Sequence, residues 1–506
     1  MTRPSAFEQV TGGRHASLDA LFREARLRRP DAVALRDPPD REAFTDHAPR
    51  VLTYSQADRA ISAIAARLRG AGLPADAVIG LQLPNIAEAT LAILGVLRAG
   101  MIPALIPLLW RKADAVAALS GISPKAVIVC RRLGETDHAQ LAAEIAAEMF
   151  SIRHVFAFGT ELPDGVTPLD DVFAAEAAAF HDPLDIAPDN IAVVTFDVSP
   201  SGTLACARSH RALVACGLGP VMEADLRDDA AILSPYAPAS LAGLALATLP
   251  WLLTGGTLHL HQPFDGESLA AQVAGQSFDL IVLPGPIASR VADAGVLQGH
   301  AGLKAIALAW RAPESIAGGI SPRLFGVPLI DVRLFGEAGL VATRRQLESR
   351  PAPFLAGIIA PAFPECEIGE VLRTANGTVG LRGAMLAQAP YPTGAGHASA
   401  PAPDAERIVD TGFPCLIERD TLIVTGPPQG LVSLGGYRFA LKDLQDRLNR
   451  IERGCTLAAL PNALIGYRLA GESADRSTMR RSLTEFGANP LIVRAFRERS
   501  DEAPAA

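Results

Sequence analysis

The chain lacks the features that identify several classes of protein. Its 46 Lys and Arg are outnumbered by 54 Asp and Glu, which gives a net charge of -8. Because the basic residues are also dispersed, this balance argues against a nucleic-acid-binding surface. A small anionic ligand remains compatible with it, since a local pocket can differ in sign from the whole molecule.

Cysteine is scarce, and its spacing gives no metal or redox motif. None of the six cysteines forms a CxxC pair. They are Cys130, Cys206, Cys216, Cys366, Cys415 and Cys455. A disulfide framework is not expected at this length, so we interpret them as buried thiols in a reducing cytoplasm. The start of the chain, MTRPSAFEQVTGGRH, has no apolar core of a secretory signal, so we expect a cytoplasmic protein.

An uninterrupted apolar segment is also missing. Residues 230–264 contain no Asp, Glu, Lys or Arg, but several prolines and the pair Gly255 and Gly256 interrupt them. A continuous membrane-spanning helix is therefore not expected, and we predict a buried helix and strand here.

What the sequence does contain is a repeated alternation of strand and helix patterns. Apolar positions at helical spacing run from Tyr54 to Gly70, and a second helix pattern covers 86–100. Short apolar runs at 77–84, 101–106 and 124–130 read as buried strands. This alternation predicts an α/β fold built on a mostly parallel sheet.

The chain is too long for one core and shows a plausible joint near its C-terminus. A single core stops growing at roughly 250 to 300 residues, and this chain has 506. Residues 389–407 read as a Pro-, Gly- and Ala-rich linker, followed by a hairpin and then by a helix pattern from 439. We predict a large domain over 1–427 and a small one over 428–506, with Gly426 and Gly430 at the hinge.

Four segments, in this order along the chain, resemble one family. They are residues 52–109, ARSHRALVA at 207–215, LPWLLTGGTLHL at 249–260 and LVSLGGYRFALKDLQ at 431–445. Together they resemble the adenylate-forming superfamily of AMP-forming acyl-CoA synthetases. The resemblance implies a large N-terminal domain of stacked sheets and helices and a small α+β C-terminal lid domain. It also implies that ATP and a carboxylate give an acyl-adenylate, from which a thiol, usually coenzyme A, takes the acyl group.

The phosphate loop of that family is eroded in this sequence. Where the family has T-S-G-T-T-G-x-P-K-G, an ungapped alignment puts Val198 and Ser201 at two glycines and Leu204 at the lysine. Val disfavours positive φ, and Pro200 has no N–H to offer a phosphate. We therefore predict a strand, turn and helix without a phosphate cradle. The residues at these nucleotide positions are Ser199, Ser201, Gly202 and Thr203.

Other nucleotide-binding positions are altered as well. Gly336 and Glu337 match the family's Y-G-x-T-E stretch, so the resemblance makes Glu337 a magnesium ligand, with a solvated loop carboxylate as the alternative. The T-G-D motif appears as Thr411, Gly412 and Phe413, and Phe cannot accept the ribose hydrogen bonds. The hinge motif has lost its Arg and Asp, and no lysine follows Lys442.

The acyl side is better preserved. Ser240 lies where many relatives place a gating His, and Gly243 belongs to the pocket segment that follows. A cavity with small and aliphatic linings tolerates such drift, so we predict an apolar pocket for an acyl or aryl carboxylate.

These comparisons predict an acyl-CoA-synthetase-like protein whose adenylation is lost or severely weakened. One alternative is an active ligase with a rebuilt site. In it, Glu337 and the hydroxyls of Ser199, Ser201 and Thr203 act with Arg208 or Arg211. It would use ATP, Mg²⁺ and coenzyme A, whereas an inactive protein would need no cofactor. Another alternative is a non-catalytic scaffold, either as a homodimer or with a biosynthetic partner protein.

Overall fold

The computed structural model describes most of the chain. The described residues are 16–174, 186–297, 302–316, 321, 324, 326–345, 351–359, 368–387, 389–391 and 408–497. Two eight-stranded sheets dominate, and a five-stranded and a four-stranded sheet follow them along the chain.

The first sheet is parallel except for the two pairs at its edges. Its strands, in spatial order, are Leu340–Arg344, Leu329–Leu334, Ala305–Trp310, Leu280–Pro284, Ala231–Ser234, Thr257–Leu260, Val33–Arg36 and Val51–Thr53. The central strands are buried on both faces, which explains their continuous apolar runs.

The second sheet has the same character. Its spatial order is Ala389–Pro390, Gly202–Ser209, Ile191–Ser199, Ile102–Leu105, Val78–Gln82, Ala126–Cys130, His154–Phe158 and Val166–Pro168. From Ile191–Ser199 onward all neighbours are parallel, whereas the first two strands are antiparallel additions. A small ribbon of Arg132–Leu133 and Thr136–Asp137 lies beside it.

Helices connect the parallel strands and fill the space between the sheets. Tyr54–Gly70 begins with a capping box in which Thr53 and Gln56 exchange hydrogen bonds, and its apolar face packs on Ala87–Arg98. The other α-helices of the large domain are Leu18–Arg28, Glu42–Thr45, Lys112–Leu119, His138–Glu148, His210–Glu223, Leu241–Gly243, Leu249–Thr254, Gly266–Ala274 and Ala288–Asp293. A π-turn, Leu244–Thr248, joins the two short helices around it, and single 3₁₀ turns cover Asp170–Phe173, Gly285–Ile287 and Pro313–Ser315.

The C-terminal part has its own antiparallel sheets. Gly357–Ile358, Glu370–Arg373, Thr378–Arg382, Val409–Glu418 and Thr421–Val424 form the five-stranded sheet. Tyr437–Ala440, Leu431–Leu434, Gly466–Glu472 and Thr456–Asn462 form the four-stranded one, covered by Leu441–Ile451, Arg476–Phe486, Pro490–Val493 and the turn Arg494–Phe496. Buried residues between Val432 and Phe496 make a separate hydrophobic cluster. The chain thus has a large N-terminal and a small C-terminal domain.

The structure confirms the predicted α/β fold and most of its elements. The helix predicted from Tyr54 and the strands at 77–84, 101–106 and 124–130 are present with boundaries shifted by a few residues. Residues 230–264 fold as strand, broken helix and strand, as predicted. No helix in the described part of the chain combines the length and apolarity needed to cross a bilayer. Most of the predicted linker at 389–407, from 392 onward, lies outside the described residues, as does Cys366.

Candidate functional site

The candidate site lies where strands of both large sheets end. Three parallel strands of the first sheet, ending at Ser234, Trp310 and Leu334, deliver the segments that follow them to one edge. Two strands of the second sheet, Ile102–Leu105 and Ile191–Ser199, run parallel to each other and end nearby. Ligands of open α/β sheets bind outside the carboxyl ends of strands, so this edge is the expected position. The small domain covers it with the turn at 433–438.

An aromatic cavity of about 310 Å³ opens at this edge, and we call it the acyl-side cavity. Trp110, Phe196, Tyr236 and Tyr437 line it, together with Ser240 and Ala242. The Trp110 and Phe196 rings are 5.3 Å apart and tilted by 51°, so they form one apolar wall. The cavity suits a flat apolar body better than a highly charged one.

Arg311 is the most unusual side chain of this cavity. It follows the buried strand Ala305–Trp310, donates to the Gly436 carbonyl at 2.9 Å and to Ser240 Oγ at 3.3 Å, and lies 5.2 Å from the Tyr236 ring centroid. All these partners are neutral, and among the described residues no carboxylate forms an ion pair with Arg311. Its Nε is buried and has no hydrogen-bond partner in the described chain. Arg311 therefore carries an uncompensated positive charge into the acyl-side cavity.

An ion pair joins the two domains next to this arginine. Arg438 of the small domain donates from Nη1 to both oxygens of Asp197, at 3.1 and 3.2 Å. Asp197 also accepts the Glu337 N–H at 2.8 Å, and the Arg438 guanidinium lies 5.1 Å from the Phe413 ring centroid. Gly336 has a φ of +61°, and a Cβ there would overlap both partners. The pair therefore requires glycine at position 336.

Glu337 lies behind this pair and is fully engaged by donors. Both of its oxygens accept the Leu241 N–H, at 3.0 and 3.2 Å, and Arg208 Nη1 is 3.7 Å away. Burial raises the pKa of Glu337, and Arg208 opposes this effect. The Arg208 side chain is only 1% exposed, so it depends on Glu337 as its counter-charge.

A second cavity of about 780 Å³ adjoins the first, and we call it the nucleotide-side cavity. Asp197, Val198, Glu337 and Arg438 line both cavities. The larger one adds Ser199, Pro200, Cys206, Phe335, Asn376, Asp410, Thr411, Gly412 and the prolines at 427 and 428. Its charged lining is three carboxylates and one arginine, and that arginine is already paired with Asp197. Beyond this pair, the lining carries Asp410 and Glu337, and Glu337 has Arg208 3.7 Å away.

Asp410 is held as a structural anion in this second cavity. Burial opposes its ionisation, but donors from Thr378, Asn376 and the Gly412 N–H lower its pKa overall. Asp410 lines this cavity next to Gly412, whose φ of +74° interrupts the regular strand.

The segment at the phosphate-loop position is a tight hairpin. Ile191–Ser199 and Gly202–Ser209 pair in antiparallel register with one irregularity between Ile191 and Val193, and at the turn Val198 lies opposite Thr203 and Ser199 opposite Gly202. Only Pro200 and Ser201 remain in the turn, where Ser199 Oγ lies 2.8 Å from Ser201 Oγ and accepts the Ser201 N–H at 3.2 Å. A strand therefore follows the turn where we predicted a direct passage into the helix, because the apolar residues after Thr203 pair with the strand before them.

The structure distributes the sequence-predicted residues over both cavities. Ser240 lines the acyl-side cavity, but Gly243 does not, because a Cβ there would overlap the Ala237 carbonyl. Ser199, Thr411 and Gly412 line the nucleotide-side cavity, Gly336 lines the acyl-side one and Glu337 lines both. Ser201, Gly202, Thr203, Gly426 and Gly430 line neither.

The carboxylates do not fit a magnesium ion. Glu337 accepts an N–H and lies near Arg208, and Asp197 accepts an N–H and pairs with Arg438, so a cation would have to compete with these donors for the carboxylate oxygens. Among the described residues, no cluster of three or more His, Cys, Asp and Glu side chains has metal-binding geometry. Arg211, which we considered as a phosphate ligand, pairs instead with Asp189 at 2.7 Å.

Sequence reasoning missed Asp197, Arg311 and Arg438, which carry the charge of the site. A signal existed for the first two, because each is a charged residue directly after a buried apolar run of the sequence. Arg438 had no such signal, because it lies in the small domain and reaches the site only through domain packing.

Comparisons with known proteins agree with this fold. The sequence profile of the AMP-binding enzyme family matches residues 30–328, so the chain belongs to that adenylate-forming family. For the family in general, membership implies the use of ATP with Mg²⁺ and of coenzyme A.

Two curated relatives that cover most of this chain are named as aryl-acid-activating enzymes. The 2-hydroxy-7-methoxy-5-methyl-1-naphthoate–CoA ligase of Streptomyces carzinostaticus is 26% identical over 489 residues, which is 90% of this chain and 83% of that protein. The salicylyl-CoA synthase/salicylate adenylyltransferase of a Streptomyces species is 24% identical over 81% of this chain and 77% of its own. Among solved structures, amide bond synthetase McbA from Marinactinospora thermotolerans superimposes with a TM-score of 0.71 at 17% identity, covering 94% of both chains. This last likeness concerns the fold.

Proposed function

We propose that this protein binds an aryl carboxylate and has lost, or severely weakened, the adenylation reaction of its family. The closed hairpin at residues 191–209 is the observation that carries this proposal. A phosphate cradle needs a loop of outward-facing N–H groups, and here the loop is reduced to two residues, one of them a proline.

The charge of the nucleotide-side cavity supports the same conclusion. Asp197 lies at the start of the former loop and pairs with Arg438, the cation that the described residues contribute to the lining of that cavity. An ATP phosphate would have to displace this carboxylate or lie beside it, and like charges in a partly buried site repel strongly. No lysine or arginine in the hairpin between 196 and 207 compensates.

The acyl-side cavity supports an aryl ligand. Its four aromatic side chains and small residues suit a flat ring system, and about 310 Å³ is near the lower end of ligand pockets. The two curated relatives named above act on naphthoate and salicylate, which are flat aromatic acids.

Calorimetry with Mg-ATP and pyrophosphate exchange over a panel of aromatic and fatty acids test this proposal. We expect no ATP binding below millimolar concentration and no exchange, while at least one aromatic acid binds. Micromolar ATP binding together with exchange would contradict the proposal and identify an active ligase with a rebuilt site.

We also propose that the domain boundary falls at residue 427 or 428. The hydrophobic cluster between Val432 and Phe496 is separate from the large core, and two prolines precede it. Limited proteolysis should cut between 426 and 436 and release a stable fragment. Cleavage only at other positions would place the boundary elsewhere.

A further inference from the structure

We propose that Arg311 is the carboxylate anchor of the acyl-side cavity and that Arg438 of the small domain is its second donor. The ligand is therefore an aromatic monocarboxylate that binds without nucleotide and bridges the two domains. This inference rests on the proposed binding of an aryl acid, and it adds the residues that recognise the acid.

The first step is the charge balance of the cavity. Its charged lining consists of Asp197, Glu337, Arg311 and Arg438. Asp197 pairs with Arg438, and Glu337 lies near Arg208 behind the wall, so Arg311 is the charge of this lining without an ion-pair partner among the described residues. Glu314, the next carboxyl along the chain, interacts with Arg438. The positive charge of Arg311 is therefore in excess of the ion pairs formed in the described part of the chain.

The second step is that this excess matches a ligand with one negative charge. A partly buried charge without a counter-ion is unfavourable, and an anion inside the cavity removes that penalty. A dianion or a polyphosphate would exceed the available charge. A neutral ligand would leave Arg311 uncompensated.

The third step is the geometry of the donors. Arg311 keeps a buried Nε without a partner, and Arg438 keeps a buried Nη2 without one in the described part of the chain. Both residues line the acyl-side cavity, one from the large domain and one from the small domain. A carboxylate has two oxygens and accepts from two donors, which is the pattern that charge-assisted pairing favours.

The fourth step places the ring of the ligand. Tyr236 lies against the Arg311 guanidinium, and Trp110 and Phe196 form an apolar wall of the same cavity. A carboxylate held by Arg311 puts its ring among these side chains, where aromatic contacts are favourable. An aliphatic acid of equal volume fills the space without such contacts.

The test measures 1-naphthoate and salicylate binding by calorimetry in the absence of nucleotide, beside the uncharged amides 1-naphthamide and salicylamide. We expect the wild-type protein to prefer at least one acid over its amide by about 10- to 100-fold, as for a hydrogen bond to a charged group. Arg311→Gln should abolish this preference and leave amide binding within about twofold. Arg290→Gln, an exposed arginine outside the cavity, is the matched control and should keep the preference.

Arg438→Gln tests the second donor. We expect it to reduce the preference by a smaller factor than Arg311→Gln, because Arg438 is already paired with Asp197. Melting temperatures of all variants separate a folding defect from a recognition defect. An unchanged preference in Arg311→Gln, or no binding of either acid to the wild type, would overturn the inference. Acid binding that appears only with Mg-ATP would overturn the nucleotide-independent step and support an active ligase, whereas ATP binding alone would affect only the proposed function.

Discussion

The two adjoining cavities differ in a way that their sizes do not show. The nucleotide-side cavity is the larger, about 780 Å³ against about 310 Å³, yet its charged lining is mainly acidic. The acyl-side cavity is smaller and aromatic, and it contains the unpaired Arg311. In an AMP-binding fold one would expect the anionic ligand in the larger space. Here the charges favour it in the smaller one.

The comparison shows that charge pairing, more than volume, decides what each cavity accepts. The same ion pair, Arg438 with Asp197, borders both cavities. Among the described residues, it neutralises the one arginine that lines the nucleotide side, while the acyl side has a second arginine. Arg311, which lines only the acyl-side cavity, therefore sets the difference in charge between the two cavities.

The largest expected effect on stability comes from Glu337, which lines both cavities. Glu337→Ala leaves the buried Arg208 without its counter-charge, which typically costs about 3 to 5 kcal/mol of unfolding free energy. Urea denaturation of this variant should show that loss. Glu418→Ala, at an exposed strand end, should change stability by less than about 1 kcal/mol. A loss below about 1 kcal/mol for Glu337→Ala would mean that the two cavities do not depend on this pair.

The next largest effect is the pH dependence of stability caused by Asp114, which lies at a contact between the domains and away from the ligand cavities. Asp114 lies outside both cavities and contacts Arg447 of the small domain at 3.5 Å. Burial raises the pKa of Asp114 from 3.8 to about 6, although Arg447 opposes this. The folded state therefore binds the proton more tightly than the unfolded state. Protonated Asp114 contributes about 2 kcal/mol to the unfolding free energy below pH 4, and this contribution is lost as the pH rises through 6.

Unfolding free energies measured at pH 4, 5, 6 and 7 check this prediction. The wild-type protein should lose stability relative to Asp114→Asn across that range. Parallel profiles for the two proteins would rule out Asp114 as the titrating group.

A smaller effect on stability tests the contact between Arg311 and the turn at Gly436. Gly436 has a φ of +91° and a Cβ there would overlap Arg311 Nη1, whereas Gly435, with a φ of +53°, has nothing within 4 Å of such a Cβ. Gly436→Ala should destabilise the protein by about 1 to 2 kcal/mol more than Gly435→Ala. It should also weaken aryl-acid binding. Equal melting temperatures and equal acid affinities for the two variants would contradict the contact between Arg311 and this turn.

The smallest expected effect is on the nucleotide side. Leu204→Lys restores a lysine at the family's loop position but leaves the hairpin and Asp197 in place. Calorimetry should detect no Mg-ATP binding below millimolar concentration in this variant. Micromolar binding after this single change would show that the cavity needs only a cation.

Much of the fold was determined by sequence patterns that depend on local physics. The helix from Tyr54 has an apolar face and a capping box, and the buried strands at 77–84 and 124–130 are continuous apolar runs. The replacements of Val198 and Phe413 were also readable, because side-chain chemistry alone excludes their family roles.

The site itself was decided by tertiary structure. Asp197, Arg311 and Arg438 are separated by more than 100 residues from one another, and only the packing of two sheets and a second domain brings them together. Whether an arginine is paired depends on which carboxylate the fold places beside it, and sequence spacing does not encode that distance. For this reason the sequence could indicate a weakened nucleotide site, whereas only the structure could show that the spare positive charge lies on the acyl side.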